Sequence, residues 1–93
     1  MVDNIFEEAA GMLKTMGHPI RLKIVKILQN GELTVGAISE AIDVSQSATS
    51  QHLNVMKMKG ILDSRRDATC VYYSVAMPEV FKIIHCIEER YKS

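Results

Sequence analysis

Six residues, Gln46, Ser47, Ser50, Gln51, Asn54 and Lys57, place uncharged hydrogen-bonding groups and one terminal cation at spacings that a helix would bring onto a single arc. The opposite arc of that helix would hold Ala48, Thr49, His52, Leu53 and Met56. The first arc has the chemistry that a DNA major groove asks for. Short side chains let a helix sit deep, amides pair bidentately with adenine, hydroxyls bond bases or phosphates, and lysine neutralises the backbone. Ser45 can cap the helix, and its free N–H groups at 45–47 would add phosphate affinity at the entry point. His52 fits a packing or phosphate-contacting role. A Ser- and Gln-rich stretch equally fits a plain polar surface helix, so the elements around it must decide.

Those elements follow from periodicity and punctuation. Ile5, Phe6, Ala9, Met12, Leu13 and Met16 predict a first helix over residues 4–16, ended by Gly17. Pro19 opens a second, "PIRLKIVKIL", whose wide apolar stripe of Ile20, Ile24, Ile27 and Leu28, widened by Leu22 and Val25, implies burial. Asn30-Gly31 stops it. Thr34 can cap a short helix, "VGAISEAI", with Val35, Ile38, Ala41 and Ile42 inward; Asp43-Val44 then connects to the helix capped by Ser45, which runs to Gly60. A short helix, a tight turn and a longer helix form a helix-turn-helix. Beyond Gly60 the period changes: "ILDSRR" and "CVYYSV" around "DAT" read as a β-hairpin. Pro78 opens a last helix with Val80, Ile83, Ile84, Ile87 and Tyr91 on one side. The expected fold is mainly α with a β-hairpin wing, a winged helix-turn-helix in the order α-α-α-α-β-β-α, as one domain over residues 1–93. Arg65, Arg66 and Thr69 would then lie on a wing placed to touch flanking phosphates.

Composition sets the outer limits. A chain of 93 residues, 47% hydrophobic, supports one modest core and is near the size at which pairing supplies missing burial. Eleven basic and eleven acidic side chains cancel, but no acid falls between Val44 and Leu62. A polyanion would meet no repulsion there. Cys70 and Cys86 form no Cys-x-x-Cys pair, which points to a reducing cytosol. No run approaches the roughly 18 apolar residues of a membrane span, and Asp3, Glu7 and Glu8 stand where a signal peptide would be basic, so a cytoplasmic protein without a membrane partner is expected. An enzyme is not expected: there is no nucleophile elbow, Gly-rich phosphate loop or paired-carboxylate spacing, and neither His18 nor His52 has a visible catalytic partner. The competing expectation is a winged-helix interaction module that does not bind DNA. Near-zero net charge favours it, whereas the absence of Phe or Trp anchors on the neutral helix counts against it.

In order and spacing, "LKTMGHPIRLKIVKIL", "ELTVGAISEAIDVSQSATSQHLNVMKMKGIL" and "VYYSV" resemble the ArsR/SmtB family of bacterial winged-helix repressors, over about residues 10–75. The resemblance implies a homodimer that pairs through its first and fifth helices and binds a palindromic double-stranded DNA operator. It also implies release by a ligand, metal or oxidant. By motif position, Gln46, Ser47, Ser50 and Gln51 would read the DNA, with the wing at Arg65 to Thr69. No cofactor is required, and the effector is left open. Metal-sensing relatives carry a cysteine box at the third helix, where this chain reads "ELTVGAIS". Others use the last helix, where His85 could join Glu89, two ligands that close no site without a partner subunit. Sulfur- and oxidant-sensing relatives pair a cysteine in the second helix with one near the C-terminus. Cys86 could fill the second role, but "KIVKIL" has no cysteine for the first, and Cys70 could serve only with its Cα within roughly 7 Å of that of Cys86. The simpler account makes both thiols small, half-buried apolar side chains.

Overall fold

The computed structural model describes residues 2–92, with side-chain environments from Asn4 to Lys92. Five helices and a small sheet follow one another as α1 (Val2–Met16), α2 (Pro19–Ile27), β1 (Leu33–Thr34), α3 (Val35–Ile42), α4 (Gln46–Met58), β2 (Leu62–Asp67), β3 (Cys70–Val75) and α5 (Glu79–Tyr91). The expected order of helices and hairpin holds, with one addition. Leu33–Thr34 pairs antiparallel with Tyr73 and Tyr72, so the wing is a three-stranded sheet in the order β1-β3-β2. The second helix is also one residue shorter than expected. Its α-helical part stops at Ile27, and Leu28–Asn30 tightens into a 3-10 turn closed by the Gly31 N–H on the Leu28 carbonyl at 3.2 Å.

Local chemistry explains the boundaries of α3 and α4. Thr34 caps α3 by accepting from the Ala37 N–H at 3.2 Å, and Ser45 caps α4 by accepting from the Ala48 N–H at 3.2 Å. Both helices end in the same way. After α3, Asp43 turns left-handed at φ 57° and the Val44 N–H reaches back to the Ser39 carbonyl at 3.1 Å. After α4, Gly60 takes φ 78° and the Ile61 N–H reaches the Met56 carbonyl at 3.0 Å. These six-to-one bonds satisfy carbonyls that a helix end would otherwise leave orphaned. The hairpin register runs from Leu62 opposite Val75 to Asp67 opposite Cys70, with Ala68 left-handed at its tip.

One core joins every element. Met16 of α1, Ile24 and Val25 of α2, Ile38 and Ile42 of α3, Leu53 and Met56 of α4, Ile61, Leu62 and Tyr73 at the base of the wing, and Val80 and Ile84 of α5 are all buried together. Each fully buried Leu or Ile contributes roughly 1.5–3 kcal/mol relative to exposure, so Leu53 and Met56 fix α4 firmly on its inner face. Some expected inward positions lie outside this core. Ala41 is exposed because α3 is too short to bury more than one narrow stripe, and Tyr91 is exposed because α5 runs past the core at its last turn.

Candidate nucleic-acid interface

Leu53 and Met56 pull one side of α4 inward, so its other side must face out. Gln46, Ser47, Gln51, Asn54 and Lys57 are all exposed, and Ser50 is half-buried at the margin. The neutral row predicted from spacing therefore exists as a surface, beginning at the capped N-terminus of α4. Glycine shapes its first turn. A Cβ added at Gly36 would stand 3.3 Å from the Gln46 amide nitrogen, so the absence of a side chain on α3 leaves room for Gln46. Lys57, at the far end of the row, donates to the Ser64 hydroxyl at 2.6 Å and so links α4 to the wing.

The two wing arginines behave differently because neighbours on a strand point to opposite faces. Arg65 crosses the sheet. Its guanidinium lies 4.7 Å from the centre of the Tyr72 ring, and its Nε donates to both carboxylate oxygens of Glu32 at 3.0 and 2.9 Å. The Arg65 hydrogen bond, against an opposing effect of burial, lowers the Glu32 carboxyl from its ordinary value, and Glu32 in turn raises the Arg65 guanidinium. The sequence leads Arg65 to be expected at a phosphate; in the protomer its guanidinium is engaged by Glu32, which a phosphate would have to compete with. Glu32 precedes Arg65 by more than thirty residues, and no sequence signal connects them. Arg66 is exposed and makes no ion pair among the described residues, and Thr69 is exposed in the turn.

His52 takes the packing side of the two roles expected of it, on the arc opposite the row. It is half-buried and turned toward α2, where its Nδ1 accepts from Arg21 Nε at 3.1 Å and its ring stacks on His18. The candidate surface then has Gln46, Ser47, Gln51 and Asn54 exposed in the middle, with Ser50 half-buried beside them, Lys57 at one end and Arg66 exposed on the wing. Of the candidate sensing groups, Cys70 and Cys86 are free and exposed in the protomer, not half-buried: Cys70 sits at the wing tip and Cys86 on the outer side of α5. His85 and Glu89 are exposed on α5, and no group of three or more His, Cys, Asp or Glu side chains comes together among the described residues. The second helix has no cysteine, and its Lys26 pairs with Glu88 of α5 at 2.9 Å. No helix of the described residues is long and apolar enough to cross a membrane.

A short scaffold helix, a tight left-handed turn, an exposed neutral reading helix and an adjoining wing define a winged helix-turn-helix DNA-binding transcriptional regulator. Residues 18–64 match the family described as bacterial regulatory protein, arsR family. The chain belongs to that family. It is 40% identical over 85 residues to the nodulation protein NolR of Rhizobium meliloti, covering 91% of this chain and 70% of that protein. Its fold is similar to the crystal structure of the transcriptional repressor BigR from Xylella fastidiosa, with a TM-score of 0.90, 28% identity, and coverage of 99% and 94% of the two chains. It is also similar to a homodimeric winged helix-turn-helix DNA-binding domain from Mycobacterium bovis, with a TM-score of 0.82, 27% identity, and coverage of 92% and 80%.

Proposed function

We propose that this regulator represses transcription by binding a palindromic operator as a homodimer, and that a small effector, oxidant or metal releases it. The observation that carries the reading is the exposed, acid-free row from Gln46 to Lys57, since uncharged amides and hydroxyls discriminate bases by hydrogen bonding while Lys57 and Arg66 neutralise phosphates. The similarity to a named repressor and to a homodimeric domain supports repression and pairing. In such a dimer the two α4 helices would stand about 34 Å apart, matching half-sites one helical turn apart on one face of the duplex. An effector that rotates one protomer against the other would move both helices off register without touching either. Among sensing groups, exposed Cys86 on α5 suits an oxidant, whereas His85 and Glu89 would need ligands from the partner subunit.

In vitro selection from random double-stranded DNA, followed by fluorescence anisotropy on the selected sequence, tests the reading. Gln51→Ala is expected to cost roughly 1–3 kcal/mol on the selected operator and little on unrelated DNA, so that base preference relaxes. Recovery of no preferred sequence, or equal binding by the variant at every site, would favour an interaction module that does not read DNA.

A further inference from the structure

Beside the apolar core that seats the reading helix, three nitrogen-bearing side chains form a polar contact between α2 and α4. Arg21 donates from Nε to His52 Nδ1 at 3.1 Å and from Nη1 to the Thr15 carbonyl at 3.2 Å, so one guanidinium ties α4 to the end of α1. The His52 ring packs on His18, with centroids 4.5 Å apart and planes at 57°. His18 is the N-cap of α2, and its own Nδ1 accepts from the Ile20 N–H at 3.1 Å. For His52, accepting at Nδ1 requires a neutral ring that carries its proton on Nε2.

A proton added to His52 Nδ1 occupies the atom to which Arg21 donates and places a second positive charge beside that guanidinium. The surroundings offer no compensation. The titratable or charged groups facing His52 are His18 and Arg21; α1 contributes only the neutral Thr15 carbonyl to the clasp, and none of the three forms an ion pair with a carboxylate among the described residues. Nor is there a substitute tie. Arg21–His52 is the one side-chain hydrogen bond between α2 and α4 among the described residues, and the Thr49 hydroxyl, one turn away on α4, is buried without a partner.

We propose that Arg21, His52 and His18 form a proton-sensitive clasp that positions the reading helix: it holds α4 in its DNA-binding attitude while His52 is neutral and lets it shift when His52 is protonated. The inference rests on the DNA-binding reading above, and its consequence is an operator affinity that falls in mild acid. Burial first, then His18 and Arg21, hold the His52 imidazole below the ordinary histidine value. The unfolded chain thus takes up the proton more readily than the folded one. The stabilisation is complete above the ordinary value of about 6.5 and is lost as pH falls through the lowered folded value.

The test measures operator affinity by fluorescence anisotropy at constant ionic strength, each protein being normalised to its own value at the higher pH. Wild type is expected to lose about tenfold between about pH 7.5 and 5.5, whereas His52→Gln, whose amide oxygen can accept from Arg21 but takes no proton, loses less than about twofold. Parallel pH profiles for the two proteins, or tighter wild-type binding in acid, would overturn the clasp. A second measurement needs neither DNA nor a variant: histidine-ring NMR titration with amide exchange along α4 in the free protein. Loss of α4 protection in step with a His52 titration below the ordinary value supports the clasp even if no operator is found. Titration of His52 at or above that value, or unchanged α4 protection through it, overturns it.

Discussion

The hydroxyl of Thr49 is fully enclosed, at 0% exposure, and has no hydrogen-bond partner among the described residues. A buried hydroxyl without a partner costs roughly 1–3 kcal/mol, so Thr49→Val, which keeps the branched shape and removes the oxygen, is expected to stabilise the protein by about 1 kcal/mol. A higher urea midpoint at unchanged slope would show it. At the wing, Arg66→Ala is expected to weaken binding to all DNA sequences alike and to reduce the slope of log K against log salt by about one for each phosphate the side chain neutralises. Arg65→Ala should also expose the Glu32 carboxylate, a repulsion that Glu32→Gln relieves. Strand alternation by itself tells that these two arginines face opposite ways. That Arg65 is matched by Glu32 is not legible in the sequence, because the pairing depends on how β1 brings the chain back beside β3. Spacing places His52 on the inner arc, but its donor, Arg21, lies on another helix that periodicity marks only as buried.

At the scale of elements, boundaries are readable wherever a side chain or a left-handed residue makes them. Thr34 and Ser45 cap the helices they precede, and Gly60 stops α4, because these residue types solve the problem of unsatisfied helix ends locally. Strand β1 cannot be read in this way. Two residues show no period, and Leu33–Thr34 becomes a strand only through pairing with Tyr73 and Tyr72 some forty residues later. The caps have a direct consequence for the site, since the N-terminus of α4 is where the row of reading residues begins. Ser45→Ala removes the acceptor for the Ala48 N–H and is expected to cost about 1 kcal/mol of stability. It should also raise amide exchange selectively in the first turn of α4, which carries Gln46 and Ser47; uniform exchange across the helix would mean that the cap does not order the reading surface.

The whole molecule shows why a single protomer is an incomplete reader. Its net charge is zero, so no overall field draws it to DNA, and in the proposed dimer affinity would come from few contacts made twice. The protomer also exposes apolar side chains that a chain of this size has little reason to leave in water: Ile5 at 67%, Phe6 at 66% and Leu13 at 51% on α1, and Tyr91 at 80% on α5. Phe6 and Leu13 stand seven residues apart on one side of α1, and Ile83, Ile87 and Tyr91 continue along α5 at four-residue steps outside the buried Val80 and Ile84. These faces suit pairing of two protomers through α1 and α5. The double change Phe6→Asp and Leu13→Asp places charges on that face while leaving buried Met16 and its neighbours untouched. Sedimentation should then report a monomer whose far-UV circular dichroism is retained. With the second α4 gone, only one half-site is engaged, so operator binding is expected to fall at least about a hundredfold, toward the level of non-specific DNA. A variant that stays dimeric would exclude this face of α1 from the interface, and a monomer that binds the operator undiminished would show that one reading helix and one wing suffice.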